Sequence, residues 1–433
     1  MFVSKNLNVN EKEHLTIAGV DAVELAEEYG TPLYVMDEDL IREHCRSFKN
    51  SIEKYYNGDG MACYASKAFS CKAMCKIIKE EGLGLDVVSE GELYTAESVC
   101  FPMERVCFHG NNKKDSELRY AVEKKVGRII VDNFSELERL DKIASDAGVK
   151  ANIMFRVKPG IDAHTHDFVK TGQIDSKFGV ALETGEAFDI VKKAIALNNV
   201  NLIGLHCHIG SQIFDIDPFV EAAEVMIDFI EKIKLELDYE IRELNLGGGF
   251  GIKYTDEDTP VEYDKYMEKV SVKVKELCIE KNLRLPFILI EPGRSVVAPA
   301  GTTLYTLGCV KEIPNIRTYI SVDGGMCDNP RYALYKSKYD VVVANKASEP
   351  KTETVTIAGK CCESGDLIGE GLKIQKAEAG DIIAVLATGA YNYSMSSNYN
   401  RIPKPAVVML KNGESRVVVK RETLEDVVRN DLE

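Results

Sequence analysis

The stretch MACYASKAF, residues 61–69, sets a lysine, Lys67, directly after a short apolar run. Such a run, bounded by polar residues, reads as a strand buried on both faces. Seven more runs of this kind follow before residue 300: LGLDVV (83–88), RVCFHG (105–110), RIIVD (128–132), NIMFRV (152–157), LIGLHCH (202–208), LNLGGG (244–249) and FILIEP (287–292). Between most of them lie amphipathic stretches at helical spacing, clearest in CKAMCKIIKEE (71–81) and FVEAAEVMIDFIEKIKLEL (219–237). Strands alternating with helices imply a parallel sheet. Eight repeats match a (β/α)8 barrel in size.

The ends of the runs support the barrel more strongly. They carry residues that a core does not need: Lys67, Asp86, His109 with Asn111, Asp132, Arg156, His208, the glycines from Gly247, and Glu291. A closed barrel gathers all eight ends on one face, where active sites sit. An open, doubly wound sheet does not.

After about residue 300 the texture changes. VVVAN (341–345), TVTIAG (354–359), DIIAVL (381–386) and AVVML (406–410) are rich in valine and isoleucine and separated by turn residues, so this part reads as an all-β domain. PLYVMD (32–37) reads as one further strand, expected to join it in space. The expected division is a barrel over 38–300 and a β-rich domain made of 1–37 and 301–433, the latter supplying substrate-binding and subunit-interface residues.

Composition narrows the function. The chain has 433 residues, 45% hydrophobic and 28% charged, with a net charge of −15. No basic stripe interleaved with aromatics is present, which argues against nucleic acid. No apolar run reaches the ~20 residues that span a bilayer, and the N-terminus lacks a signal-peptide pattern, so a cytoplasmic protein is expected. The twelve cysteines are scattered without a C-x-x-C pair and are expected as free thiols.

A lysine at a strand end commonly rests its stem on apolar surface and sends the ammonium to water. The alternative is an amine that bonds a carbonyl such as pyridoxal phosphate. That reading makes three demands, and each has a candidate. LNLGGGFG (244–251) offers glycines after a strand, where backbone can approach a phosphate. Its spacing is neither a Rossmann fingerprint nor a P-loop. Glu291 could keep a pyridine nitrogen protonated, and His208 could stack on the ring. His206 and His208 lie on one side of a strand, so a metal pair is the competing reading. No third ligand is spaced to complete it, and no metal is expected.

With YASKAF, DVVSEGEL (86–93), FHGNNK (108–113), GLHCHIGSQ (204–212), LNLGGGFG, EPGRS (291–295), CCESGD (361–366) and GAYNYSMSSNYN (389–400) in this order, the chain resembles the pyridoxal-phosphate-dependent decarboxylases of fold type III, which have an alanine-racemase-like barrel. Among these it most resembles the diaminopimelate decarboxylase family, nearly end to end. The resemblance implies decarboxylation of meso-2,6-diaminopimelate to L-lysine with pyridoxal phosphate, in a homodimer whose sites lie at the subunit interface. Lys67 would carry the cofactor as a Schiff base, with Asp86 beside it, His208 on the ring and Glu291 on the ring nitrogen. Ser211, Gly248, Gly249 and Tyr391 would bind the phosphate, helped by backbone near Gly293 and Arg294. Cys362, taken from the motif over the adjacent Cys361, would reach a second subunit's site, and either it or the freed Lys67 would return the proton. Arg294, Arg331, Tyr335 and Tyr391 would bind the substrate's distal carboxylate end, and Glu363 its distal ammonium. A fold type III decarboxylase for another amino acid or a carboxylated polyamine is the nearest alternative. The sequence departs from the family pattern at Tyr332 (RYALY for RPALY), at Glu90 for a glycine, and at Ile402 and Lys404 in RIPKP for RPRP.

Overall fold

The computed structural model describes residues 2–161 and 176–433. The chain forms two compact units, one of His44–Gly251 and Pro260–Gly293, the other of Met1–Glu43, Ile252–Thr259 and Arg294–Glu433.

The first unit is a closed parallel barrel. Its strands are β1 (Gly60–Ala65), β2 (Gly84–Val87), β3 (Val106–Phe108), β4 (Arg128–Val131), β5 (Ala151–Lys158), β6 (Val200–His206), β7 (Glu243–Asn245) and β8 (Phe287–Ile290). Each pairs with the next in parallel. β8 returns to β1, with Ile288 opposite Gly60, and closes the ring. All eight apolar runs are therefore barrel strands. Inside lie Cys63, Cys107, Ile130, Met154, Ile203 and Leu289, all buried. The two thiols sit 3.9 Å apart and fill space as small hydrophobes.

The helices that cover the strands follow the spacing read in the sequence, over Lys72–Glu81 and Asp217–Leu237 among others. Local chemistry sets their ends. Ser89 accepts from the Glu92 amide at 3.2 Å and starts Glu90–Glu97. Gly82, at φ 75°, ends Lys72–Glu81. Glu90, one of the departures, stands exposed in the first turn of its helix, where a negative charge is favourable.

The second unit is built on a long strand, Gly301–Ile313, which is not among the strand-like stretches read in the sequence. It pairs antiparallel with Leu33–Asp37, Arg317–Val322 and Ile382–Leu386. Leu33–Asp37 lies in turn parallel to Ala406–Lys411, so the N-terminal strand does join the β-rich sheet. Leu33, Val35, Leu304, Leu386, Val408 and Leu410 are fully or almost fully buried in its core, each stabilising the fold by about 1.5–3 kcal/mol. At the edge of this core Glu38 is buried among three cations. Its Oε1 lies 2.8 Å from Arg42 and 2.9 Å from Lys411, and Arg416 pairs with Oε2.

Candidate active site

Because the barrel strands are parallel, their C-terminal ends share one face. Lys67 follows β1 in a single tight turn, Ser66–Ala68, with Ser66 and Ala68 buried and Lys67 exposed. Gly293 packs against that turn, and a Cβ there would stand 2.9 Å from the Ala65 Cβ. Asp86 ends β2 and is buried. Burial raises its pKa, opposed chiefly by His109 and also by the charge of Lys67.

Glu291, after β8, is the centre of the face. Its Oε1 accepts from His109 Nε2 at 2.7 Å and from Asn245 Nδ2 at 2.7 Å, and its Oε2 from His206 Nε2 at 3.1 Å. The two imidazoles meet edge to face, 4.7 Å between centroids. Burial would raise the Glu291 pKa, but the imidazoles reverse this and hold it well below the usual carboxylate range. Burial pushes His206 down to about 4, so at neutral pH it is an uncharged Nε2–H donor. His206 and His208 hold different partners, Glu291 and the Gly248 amide. His109, His206 and Glu291 do bring three ligand-type atoms within 4.8 Å, but hydrogen bonds already join them.

His208 accepts at Nδ1 from the Gly248 amide at 3.2 Å, which leaves its proton on Nε2. Burial, with the nearby Lys67 charge next in size, holds its pKa well below the ordinary value, so the ring is neutral. The glycine run is required by close packing. A Cβ on Gly248 would stand 2.1 Å from the Glu291 carbonyl oxygen, and one on Gly249, at φ 117°, 2.6 Å from that of Gly210. Ser211, half-buried, follows Gly210. Asp132 and Arg156, at the ends of β4 and β5, attract one another, and burial shifts both toward neutrality.

The second unit gathers a different cluster. Arg294 and Arg331 are buried, and their guanidinium carbons lie 4.9 and 5.2 Å from the centre of the Tyr391 ring. Arg294 Nη1 donates to the Tyr254 hydroxyl at 2.6 Å. Arg331 lies 5.4 Å over the ring of Tyr335 and has no ion-pair partner among the described residues; its Nε makes no hydrogen bond. Tyr391 itself is held at φ 69°, a conformation that costs a non-glycine residue about 1 kcal/mol or more. The RYALY motif is a short helix, Arg331–Tyr335. The departure at Tyr332 faces away from Arg331: its hydroxyl donates to Glu370 Oε2 at 2.6 Å. Tyr254 and Tyr339, whose rings meet edge to face at 5.3 Å, were not singled out in the sequence.

The two thiols of CCESGD differ. Cys361 is buried, and burial raises its pKa. Cys362 is exposed, as is Glu363. Asp366 braces the loop from below, accepting from the amides of Met326 at 2.5 Å and Cys361 at 2.7 Å. The Cys362 amide donates to Asn400 Oδ1 at 2.8 Å.

The family model for the pyridoxal-dependent decarboxylases, in its pyridoxal-binding domain, matches residues 38–298. A diaminopimelate decarboxylase of Bacillus methanolicus is 53% identical over 422 residues, covering 98% of each chain. That of Bacillus subtilis is 50% identical over 432 residues, covering all of this chain and 98% of the relative. The crystal structure of diaminopimelate decarboxylase from M. jannaschii in co-complex with L-lysine superposes with a TM-score of 0.92 at 33% identity, over 100% of this chain and 99% of that one. No helix among the described residues is long and apolar enough to cross a membrane.

Proposed function

The chain belongs to the diaminopimelate decarboxylases, within the pyridoxal-dependent decarboxylases, and from that premise we propose how its residues release carbon dioxide from meso-2,6-diaminopimelate to leave L-lysine, the last step of lysine synthesis. Its cofactor is pyridoxal phosphate, which when bound supplies an electron sink for the carbanion left by the departing carboxylate.

The residues of the barrel face suit that group. Lys67 presents an exposed amine to hold the aldehyde. The glycine run lets backbone approach a phosphate where side chains would collide, and Ser211 and the Gly293 backbone would serve as further ligands. Glu291, kept ionised, is the partner for the ring nitrogen. His208, neutral and anchored through Nδ1, suits a stacking role. Asp86, whose Oδ1 is buried without a hydrogen bond, is a further polar neighbour.

The observation that carries the substrate reading is the pair of buried guanidiniums against Tyr391. Arg331, buried, with no ion-pair partner among the described residues and only a 3.3 Å hydrogen bond to Ser337 Oγ, calls for an anion, and a carboxylate matches its fork. Arg331, with Arg294, Tyr335 and Tyr391, would take the carboxylate at the far end of diaminopimelate, and Glu363 the ammonium beside it. A simple diamine precursor lacks that carboxylate. Cys362 returns the proton, since Cys361 is buried and Cys362 is free to meet another molecule. We infer that this other molecule is a second copy of the chain, completing each site of a cytoplasmic homodimer. The test is purified protein with pyridoxal phosphate and meso-diaminopimelate. Lysine and carbon dioxide in equal amounts are expected; no lysine, with cofactor bound, would move the reading to another amino acid.

A further inference from the structure

The Glu291 carboxylate offers about four acceptor sites, two on each oxygen. Oε1 has both filled, by His109 and Asn245, whereas among the described residues Oε2 receives only His206. The three donors come from the C-terminal ends of β3, β6 and β7, so the rotamer is fixed from three strand ends at once. Asn245 is fully buried and works in two directions. Its Nδ2 donates to Glu291, and its Oδ1 accepts from the Gly247 amide at 2.9 Å. It thereby ties the carboxylate to the glycine run.

We propose that His109, His206 and Asn245 are positioning residues that fix Glu291 with one open acceptor site, on Oε2, for the ring nitrogen of the cofactor. This rests on the reading of Glu291 given above. The other groups whose charge bears on Glu291 are Asp86, Arg156, Cys207 and His208. Cys107 bears on it as well; Asp86 opposes ionisation and Arg156 favours it, while the two imidazoles are the chief groups that hold the carboxylate anionic. His206 Nδ1 has no hydrogen-bond partner among the described residues. Protonating it would bury an unsatisfied N–H, which keeps His206 a neutral donor.

The experiment compares His206→Leu with His206→Gln, whose amide restores an N–H near the lost Nε2, and uses Glu291→Gln as reference. Two readouts are taken: the affinity of the cofactor-free protein for pyridoxal phosphate, and the nitrogen-15 resonance of ring-labelled cofactor, which reports whether the ring nitrogen is protonated. Glu291→Gln is expected to weaken binding and move the resonance to the unprotonated position. His206→Leu is expected to move it the same way and to weaken binding about tenfold, as loss of a hydrogen bond to a charge does. His206→Gln is expected to restore the wild-type resonance. Should His206→Leu not fold, Asn245→Ser and His109→Leu with His109→Gln give the same comparison on Oε1. Leucine or serine variants with wild-type affinity and resonance, beside a disturbed Glu291→Gln, overturn the positioning proposal alone. An undisturbed Glu291→Gln overturns the reading of Glu291 itself.

Discussion

Glu291 in the barrel and Asp328 in the β-rich unit are both carboxylates cut off from water, and they go opposite ways. Burial pushes Asp328 up to about 7. Its donors are the Tyr305 hydroxyl, the Gly325 amide at 3.2 Å and the Cys327 thiol at 3.6 Å. Glu291 meets the same desolvation and is held well below the usual range. Two imidazole N–H groups and an amide converge on it from three strands. Burial therefore sets the direction only by default, and the donors decide whether a buried acid is ionised. Asp328 braces a loop and can afford to be neutral. On the role proposed for it Glu291 has to be an anion, and the imidazoles of His109 and His206 keep it so.

The largest expected effect separates chemistry from scaffold at the barrel face. Lys67 is exposed and Glu291 keeps its donors without it. Lys67→Ala should therefore lower turnover by about 10^4 or more, as loss of a covalent group does. Thermal unfolding of the cofactor-free protein should move by no more than about 0.5 kcal/mol. A variant that still turns over substrate would remove Lys67 from the reaction.

Next in size is the pH dependence of Asp328. Its folded pKa is raised, from 3.8 to about 7. Relative to Asp328→Asn, the wild type should keep this contribution in full below about pH 4 and lose it as pH rises through 7. The whole difference is of the order of 4 kcal/mol if the unfolded chain has the ordinary pKa. Urea unfolding of both proteins at several pH values measures it. A parallel pair of stability curves would break the contrast with Glu291, whose lowered pKa gives the opposite slope, lost as pH falls.

Arg331 provides a third test, of a cation left open rather than an anion enclosed. Arg331→Met should raise KM for diaminopimelate roughly 10- to 100-fold, the worth of a charge-assisted contact. The affinity for pyridoxal phosphate should change far less. Equal losses in both would place Arg331 in the scaffold instead of the substrate site.

How much of this was legible beforehand follows from which contacts are local. Lys67, Asp86, His109 and Glu291 stood out because each ends an apolar run, and period and order alone place such ends on one face. The glycines from Gly247 stood out for the same reason. What stayed hidden was the meeting of His109, Asn245 and Glu291, at the ends of β3, β7 and β8. Their separation in sequence is 136 residues from His109 to Asn245 and 46 from Asn245 to Glu291. Only ring closure sets their side chains within hydrogen-bond distance. Tyr254 was hidden differently: the segments on either side, up to Gly251 and from Pro260, lie in the barrel unit, but Ile252–Thr259 belongs to the other unit.

Tyr332 carries the smallest effect and the sharpest limit on sequence reading. In a motif that begins with Arg331, a tyrosine for the usual proline looks like a change of substrate. In the folded chain the ring leaves the arginine and its hydroxyl binds Glu370, which also takes Arg317 at 2.8 Å. Desolvation, with Glu370 next in size, raises the phenol to about 12, so it remains a donor throughout the working pH range. Tyr332→Phe should thus cost about 0.5–1.5 kcal/mol of stability through one lost hydrogen bond and leave the preference between diaminopimelate and simple diamine precursors unchanged. A shift in that preference would mean that this short helix reads the substrate with both of its first two side chains, and the open cation at Arg331 would no longer suffice to explain selection.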